Sequence, residues 1–269
     1  MTELQRIAHR GYAGAAPENT TAAARFAAEN GADYVEIDVM PTVDGDVVVF
    51  HDARLDGKDD SRGITNGTGI VWETPTHAVT ESEVRTSGET VPTLSGLCDG
   101  LPAGVGLNVE LKHCGAPSLK TGCVLDPATR DDRAARWRPF VADVLTDLES
   151  FDGPVLFSSF AEGALAALRT QAPDASLAPI IHDDITVAFE LADRYDATAI
   201  HPSLAAVGIS QTVESPVTDP IERAHTNGYA VNVWTVTNWY QAHQLEIRGA
   251  DGMIADYPGL TEWRHRQQG

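Results

Sequence analysis

The stretch PVLFSSFAEGALAALRTQAPDASLAPIIHDDITVAFELADRYD, residues 154–196, contains the pattern that decides the fold. Two short apolar runs, PVLFSSF and SLAPII, each precede a longer run whose apolar residues recur at helical spacing. A strand followed by a helix, twice in succession, is typical of a parallel sheet covered by helices. The stretch therefore predicts repeated strand–helix units.

The same alternation extends in both directions along the 269-residue chain. Strands are predicted at residues 6–11, 34–41, 105–112, 154–160, 176–181, 198–204, 229–236 and 251–258, each followed by a helical run, the last at 259–267. Eight such units in a chain of this length predict an α/β protein with a (β/α)₈ TIM barrel. The alternative is a doubly wound open sheet, which typically has fewer repeats and a glycine-rich first turn.

The second unit contains extra sequence. Asp44-Gly45 between apolar runs predicts a tight hairpin, which adds a strand at 47–51. Residues 53–91 are loop-like and predict a small insertion after the second strand. Because no linker of biased composition divides the chain, residues 1–269 are predicted to form a single domain.

The charge of the chain is strongly acidic. Thirty-nine acidic residues stand against 19 basic ones, which gives a formal net charge of −20, and lysine occurs only at positions 58, 112 and 120. Such a surface repels nucleic acid and anionic membranes, so neither is expected as a partner. The scarcity of lysine favours a halophilic protein over an ordinary acidic one.

Targeting and redox signals are weak. The N-terminus MTELQRIAHRG lacks a basic region followed by an apolar run, and no apolar stretch reaches the roughly 20 residues of a membrane helix. Three cysteines are too few, and odd in number, for a disulfide framework. We therefore expect a cytoplasmic protein, and its oligomeric state is left open.

Carboxylates are predicted to face the interior of the barrel. Alternate residues of a strand share a face, so Glu36 and Asp38 in YVEIDVMP point inward together, as Glu110 and Lys112 do in VGLNVELK. Three carboxylates from two strands form a candidate site for one divalent cation, Mg²⁺ or Ca²⁺. The alternative is a buried ion network in which Glu36 and Asp38 pair with Arg10 and Lys112.

Two histidines and two cations complete this constellation. His9 and His51 follow neighbouring strands, and imidazole titrates near neutrality, so the pair suits general acid–base catalysis. Arg10 and Lys112 supply positive charge suited to a phosphate. Together with a divalent cation, these residues indicate a metal-assisted phosphodiesterase.

Several motifs in register resemble those of the glycerophosphodiester phosphodiesterase family. They are AHRGYAGAAPENT, VEIDVMPTVDGDVVVFHD, NGTG, VPTL, NVELK, VNVWTV and GMIADYPG, in this order from residue 8 to 259. The resemblance implies the same barrel with an insertion after the second strand. It also implies cleavage of a glycerophosphodiester to a glycerol phosphate and an alcohol with Mg²⁺ or Ca²⁺, in many members with attack by the free glycerol hydroxyl.

The resemblance also assigns roles to individual residues. His9 and His51 would be the general acid and base, and Glu36, Asp38 and Glu110 would hold the divalent cation. The substrate-binding set would comprise Arg10 at the phosphate, Lys112 as a neutralising charge, Glu18 as an inner-rim residue that supports the His9 loop, and Trp234 in the pocket wall.

Two other functions remain open at this level. One is a catalytically silent phosphodiester-binding barrel, since a fold alone does not establish activity. The other is a phospholipase D/C-like phosphodiesterase acting on lysolipid head groups, which the acidic composition disfavours. Ser158 and His201 end strands and are candidate rim residues without an assigned role, and Trp72 either caps the pocket or anchors the insertion.

Overall fold

The computed structural model describes residues 4–116, 119–209 and 219–262. The strands in this part of the chain are β1 Gln5–Ala8, β2 Tyr34–Pro41, β3 Val47–Val49, β4 Gly106–Leu111, β5 Val155–Ser159, β6 Ser176–Ile181, β7 Ala199–Pro202, β8 Ala230–Val236 and β9 Gly252–Ala255. The α-helices are α1 Thr21–Glu29, α2 Thr76–Thr80, α3 Leu94–Gly100, α4 Pro127–Asp147, α5 Glu162–Gln171, α6 Ile185–Arg194, α7 Pro220–Thr226 and α8 Trp239–Ile247. Short 3₁₀ turns occur at His9–Gly11 and Val71–Glu73.

Eight of the strands close into a parallel barrel. Their order is β1-β2-β4-β5-β6-β7-β8-β9, and β9 pairs with β1 to complete the ring. The remaining strand, β3, runs antiparallel to β2 through the predicted Asp44-Gly45 hairpin. The predicted (β/α)₈ TIM barrel is therefore confirmed, and parallel strands place all their carboxyl ends at one rim.

The two faces of β2 carry different side chains, as the alternation of apolar and acidic residues in its sequence predicts. Val35, Ile37 and Val39 are buried in the same apolar core as Trp137 of α4, between the strands and the outer helices. The intervening Glu36 and Asp38 belong to the inner face of the barrel. The pleat of one strand therefore sends its apolar residues to the core and its carboxylates to the interior.

The insertion at residues 53–91 is more ordered than the loop-like sequence predicts. It contains α2 and a 3₁₀ turn, and its apolar side chains form a separate small core with the hairpin. Leu55, Val71 and Val79 pack there together with Phe50. These residues follow no strand or helix period, which is why the pattern did not reveal the core.

The ends of two strands differ from the sequence prediction. The strand predicted at 47–51 stops at Val49. The first strand ends at Ala8, and His9–Gly11 form a 3₁₀ turn instead of continuing it. The predicted last helix, 259–267, extends beyond the described residues. That the whole chain forms one domain stays a prediction. In the described ranges, no helix has both the length and the apolar composition to cross a membrane.

Candidate active site

The carboxyl ends of the barrel strands surround a cavity of about 260 Å³. The predicted site residues that line it are His9, Arg10, Glu36, His51, Glu110, Lys112 and Trp234. Glu18 and Asp38 contact this lining, since Glu18 pairs with Arg10 and Asp38 pairs with both Arg10 and Lys112. The structure therefore brings all of the predicted residues together.

The turn after β1 positions the first part of the site. Arg10 adopts a left-handed backbone with φ of 50°, and its backbone N–H donates to Oε2 of Glu36 at 2.8 Å. Gly11 follows with φ of 77°, and a Cβ atom there would lie 2.7 Å from the backbone carbon of Ala23. Glycine is therefore required at position 11 for the turn to pack against α1.

Glu36, Asp38 and Glu110 form a compact buried cluster. Asp38 lies opposite Glu110 in the register between β2 and β4, and one ligand atom from each residue falls within 4.8 Å of the others. Burial, together with the charges of Asp38 and Glu110, raises the pKa of Glu36 well above its usual range. The cluster therefore favours additional positive charge.

Arg10 and Lys112 already supply part of that charge. Nε of Arg10 lies 3.2 Å from Asp38, and Nζ of Lys112 lies 2.9 Å from Glu110 and 3.3 Å from Asp38. Burial opposes ionisation of Asp38, but Lys112 and Arg10 hold its pKa well below the usual range. The alternative ion network therefore exists, but within it two cations face three carboxylates.

The donor set fits a hard divalent cation. All three side chains offer oxygen, which both Mg²⁺ and Ca²⁺ prefer. Oδ1 of buried Asp38 has no hydrogen-bond partner among the described residues, although Lys112 lies within ion-pair distance. The cluster therefore retains coordination capacity beyond its contacts with Arg10 and Lys112.

Each histidine is held by a carboxylate. Nδ1 of His9 lies 2.7 Å from Oδ1 of Asp256, and Nδ1 of His51 lies 2.7 Å from Oδ1 of Asp52. Because an ionised carboxylate can only accept, Nδ1 of each ring carries the proton. Nε2 is then the nitrogen available for proton transfer.

Arg62 links the insertion to both sides of the site. Its guanidinium donates to both carboxylate oxygens of Glu18, at 2.9 and 2.7 Å, and Nε donates to Asp52 at 3.0 Å. Burial opposes ionisation of Asp52, but hydrogen bonds from His51 and Arg62 place its pKa well below its usual range. Likewise, Arg62 and Arg10 lower the pKa of Glu18 against the effect of burial.

Sequence reasoning missed Asp52, Arg62 and Asp256. Asp52 directly follows His51, and Asp256 directly follows β9, so a search for carboxylates near strand ends would have included both. Arg62 lies in an aperiodic loop, and no local pattern marks it.

An aromatic pair forms part of the remaining cavity wall. Trp234 and Phe160 meet edge to face with ring centroids 5.5 Å apart, and the indole N–H of Trp234 donates to the His201 carbonyl at 2.8 Å. Trp72 instead stacks on His113 at 3.7 Å between centroids, which joins the insertion to the loop after β4. This contact favours the anchoring role for Trp72.

Known proteins resemble this chain over nearly its whole length. Residues 9–260 match the sequence model of the glycerophosphoryl diester phosphodiesterase family. A glycerophosphodiester phosphodiesterase of Caldanaerobacter subterraneus subsp. tengcongensis is 27% identical over 259 residues, which cover 94% of this chain and 93% of that protein. YhdW of Bacillus subtilis is 30% identical over 258 residues, 94% of each chain.

Solved structures show the same relationship. An Oleispira antarctica phosphodiesterase, determined in complex with the product sn-glycerol-3-phosphate, superposes with a TM-score of 0.77 at 28% identity. The match covers 98% of this chain and 97% of that one. With a family match from residue 9 to residue 260 and relatives aligned over nearly their whole length, this chain belongs to the glycerophosphoryl diester phosphodiesterase family of enzymes.

Proposed function

We propose that this protein hydrolyses glycerophosphodiesters to a glycerol phosphate and an alcohol. The observation that carries the proposal is the convergence of a carboxylate cluster, two cations and two carboxylate-held histidines on one cavity. Phosphodiester cleavage needs stabilisation of charge on the phosphate oxygens and proton transfer at the attacking and leaving oxygens. Family membership, and a similar structure solved with sn-glycerol-3-phosphate, support the substrate class.

His9 and His51 are the proposed acid–base pair. One ring accepts the proton of the attacking hydroxyl, and the other donates a proton to the oxygen of the leaving alcohol. Asp256 and Asp52 hold each ring through Nδ1, which leaves Nε2 for both transfers.

Arg10 and Lys112 bind the phosphate oxygens in this proposal, and Trp234 lies beside the substrate. The fork of Arg10 suits two oxygens at once, whereas Lys112 acts as a point charge. Glu18 acts as a positioning residue for Arg10, because its oxygens already accept from Arg10 and Arg62.

Glu36, Asp38 and Glu110 would hold one divalent cation, Mg²⁺ or Ca²⁺. Such a cation, when bound, supplies positive charge at a phosphate oxygen. Lys112 and Arg10 bracket the same carboxylates, so they hold the phosphate next to the cluster. A cytoplasmic location, a halophilic source and the absence of nucleic-acid or stable membrane partners stay predictions from composition.

The test is release of glycerol phosphate from glycerophosphocholine and glycerophosphoethanolamine. The purified protein is treated with EDTA and assayed in molar KCl with and without Mg²⁺ or Ca²⁺. Lysophosphatidylcholine is included as the lysolipid substrate. We expect turnover of the deacylated diesters only after a divalent cation is restored.

Other outcomes distinguish the alternatives. Hydrolysis of lysophosphatidylcholine in preference to both deacylated diesters would support the lysolipid phosphodiesterase. Binding of glycerophosphocholine without turnover under any of the ionic conditions would support a catalytically silent barrel.

A further inference from the structure

A layer of polar side chains lies inside the barrel beside the carboxylate cluster. We call this layer the floor, and its members are Asn108, Ser158, His201 and Asn232. Asn108 lies opposite Glu36 in the register of β2 and β4, and Ser158 lies opposite Glu110 on β5. Nδ2 of Asn232 lies 3.1 Å from Nε2 of His201, which joins β7 and β8 in the same layer.

The floor contains buried polar atoms that lack partners. Asn108 is 1% exposed, and Ser158 and His201 are 0% exposed. Both amide atoms of Asn108, Oγ of Ser158 and Nδ1 of His201 have no hydrogen-bond partner in the described part of the chain. All three residues line the catalytic cavity. Because buried polar groups in proteins are nearly always hydrogen-bonded, partners for these atoms are expected from the cavity.

The cavity ends at this layer. Leu156 and Ala199 precede Ser158 and His201 by two residues on their strands and belong to an apolar cluster of their own inside the barrel. A Cβ atom at Gly252 would collide with Oδ1 of Asn232, so glycine at this position makes room for the floor. A group that reaches the floor is therefore enclosed from below.

The floor offers hydrogen bonds without net charge. Asparagine and serine are uncharged, and burial lowers the pKa of His201 to about 3, so its ring is neutral at physiological pH. Nε2 of His201 accepts from Asn232, which leaves the ring proton on Nδ1. The floor thus presents both donors and acceptors, which match a hydroxyl better than an anion or an ammonium group.

We propose that the floor binds the terminal hydroxyl of the substrate's glycerol moiety. This inference rests on the proposed function. Lys112 follows Asn108 by four positions in the β4 segment, so Lys112 lies nearer the rim. A phosphate held by Arg10 and Lys112 therefore leaves the rest of the substrate to reach Asn108, Ser158 and His201 deeper in the cavity. Glycerol is common to all glycerophosphodiesters, whereas head groups vary in size and charge and fit better toward the open side. Asn232 is a positioning residue that orients His201.

The test compares two substrates that differ by one hydroxyl. Turnover of glycerophosphocholine is measured against 2-hydroxypropyl phosphocholine, which keeps the hydroxyl next to the phosphate-bearing carbon and lacks the terminal one. We expect the wild type to prefer glycerophosphocholine by at least about tenfold in kcat/KM, because buried polar groups are left unpaired by the shorter substrate. Ser158→Ala should reduce this preference to about threefold or less.

Ser159→Ala is the matched control. Its hydroxyl comes from the same strand but contacts the backbone of Leu111 and Ala161, so its removal should leave the substrate preference at the wild-type value. Thermal stabilisation by sn-glycerol 3-phosphate and by 2-hydroxypropyl phosphate, each with Mg²⁺, gives a second readout that requires no turnover.

The outcomes separate the floor from the proposed hydrolysis. Selective stabilisation by sn-glycerol 3-phosphate that Ser158→Ala abolishes would support the floor even if neither diester is hydrolysed, and only the proposed function would then fail. The proposal would be overturned if the active wild type preferred neither diester in kcat/KM and neither phosphate in thermal stabilisation. It would also be overturned if Ser158→Ala kept the wild-type preference. The floor would then be a site for ordered water.

Discussion

Nδ1 of His9 lies 2.7 Å from Oδ1 of Asp256, although 247 positions separate the two residues in the chain. The contact spans the seam where β9 pairs with β1 and closes the barrel. His51 and Asp52 make a second contact of the same length from adjacent positions. Two imidazoles are thus fixed in one tautomer by different structural means, as an acid–base pair requires.

Removal of either ring should abolish most of the activity. We expect His9→Ala and His51→Ala each to lower kcat by about 10²- to 10⁴-fold, because each ring is proposed to transfer a proton in the transition state. Initial rates of glycerophosphocholine hydrolysis at saturating substrate measure the effect. His77→Ala, which removes an exposed histidine of the insertion, is the control. Near-wild-type turnover by either site variant would remove that histidine from the mechanism.

Substitution of Asp52 or Asp256, which hold the two histidines through Nδ1, should lower kcat. Asp52→Asn and Asp256→Asn keep the shape of each side chain but let the amide donate to Nδ1, which disfavours the tautomer with Nε2 free. We expect a loss of about 10- to 10²-fold or more in kcat, and little change in KM. Asp251→Asn is the matched control. Asp251 lies outside the cavity lining, and its Oδ2 lies 2.8 Å from Nε2 of the exposed His225. An equal loss in the control would indicate a general structural effect.

The predicted part of the site follows from strand geometry. Glu36, Asp38 and Glu110 could be placed from alternation alone, because side-chain direction in a strand is fixed by position. The orientation of His9 by Asp256 depends on closure of the barrel, which brings together the two ends of the sequence. No local pattern contains that information.

The insertion is a second region whose contribution to the site is not contained in any local sequence pattern. Its sequence predicts a loop, but Arg62 from this segment contacts Glu18 and Asp52. The long aperiodic path between Asp52 and Arg62 is fixed by the small core around Leu55 and Val71. Tertiary packing therefore determines which arginine of the segment reaches the site.

Arg62 should matter for catalysis beyond its effect on stability. Arg62→Ala removes the bidentate contact with Glu18, so Glu18 keeps only its contact with Arg10. It also removes the hydrogen bond to Asp52, the carboxylate that holds His51. We expect kcat/KM to fall by about 10-fold or more, with partial recovery in Arg62→Lys, which keeps the charge but loses the fork. The measurement is kcat/KM together with Tm for each variant.

Arg54→Ala is the control for Arg62. Arg54 makes a bidentate pair with Asp56 in the same insertion, at 2.7 and 3.2 Å. Its loss should change Tm without the fall in kcat/KM. If both variants lose activity in proportion to their Tm, Arg62 is a structural residue only.

Glu36→Gln should affect stability in opposite directions with and without a divalent cation. Burial and the charges of Asp38 and Glu110 raise the pKa of Glu36, so a neutral amide relieves repulsion in the EDTA-treated protein and should raise its Tm. With Mg²⁺ or Ca²⁺ the wild type gains about 2.7 kcal/mol at a ligand concentration 100 times Kd, and the variant should gain much less. Asp59→Asn, at an exposed position of the insertion, should behave like the wild type. An equal cation-induced shift in Glu36→Gln would argue against this carboxylate as a ligand.

His201 should make the protein sensitive to mild acid. Its pKa is lowered by burial to about 3, whereas an unfolded histidine titrates near 6.5, so between these values the unfolded chain binds a proton that the native protein does not. Stability therefore falls as the pH drops below about 6.5, and this residue alone accounts for about 2 kcal/mol between pH 7.5 and pH 5. We expect urea unfolding of His201→Gln to show a correspondingly smaller loss over that interval, while His77→Gln follows the wild type. The same loss in His201→Gln would mean that other groups govern the acid sensitivity.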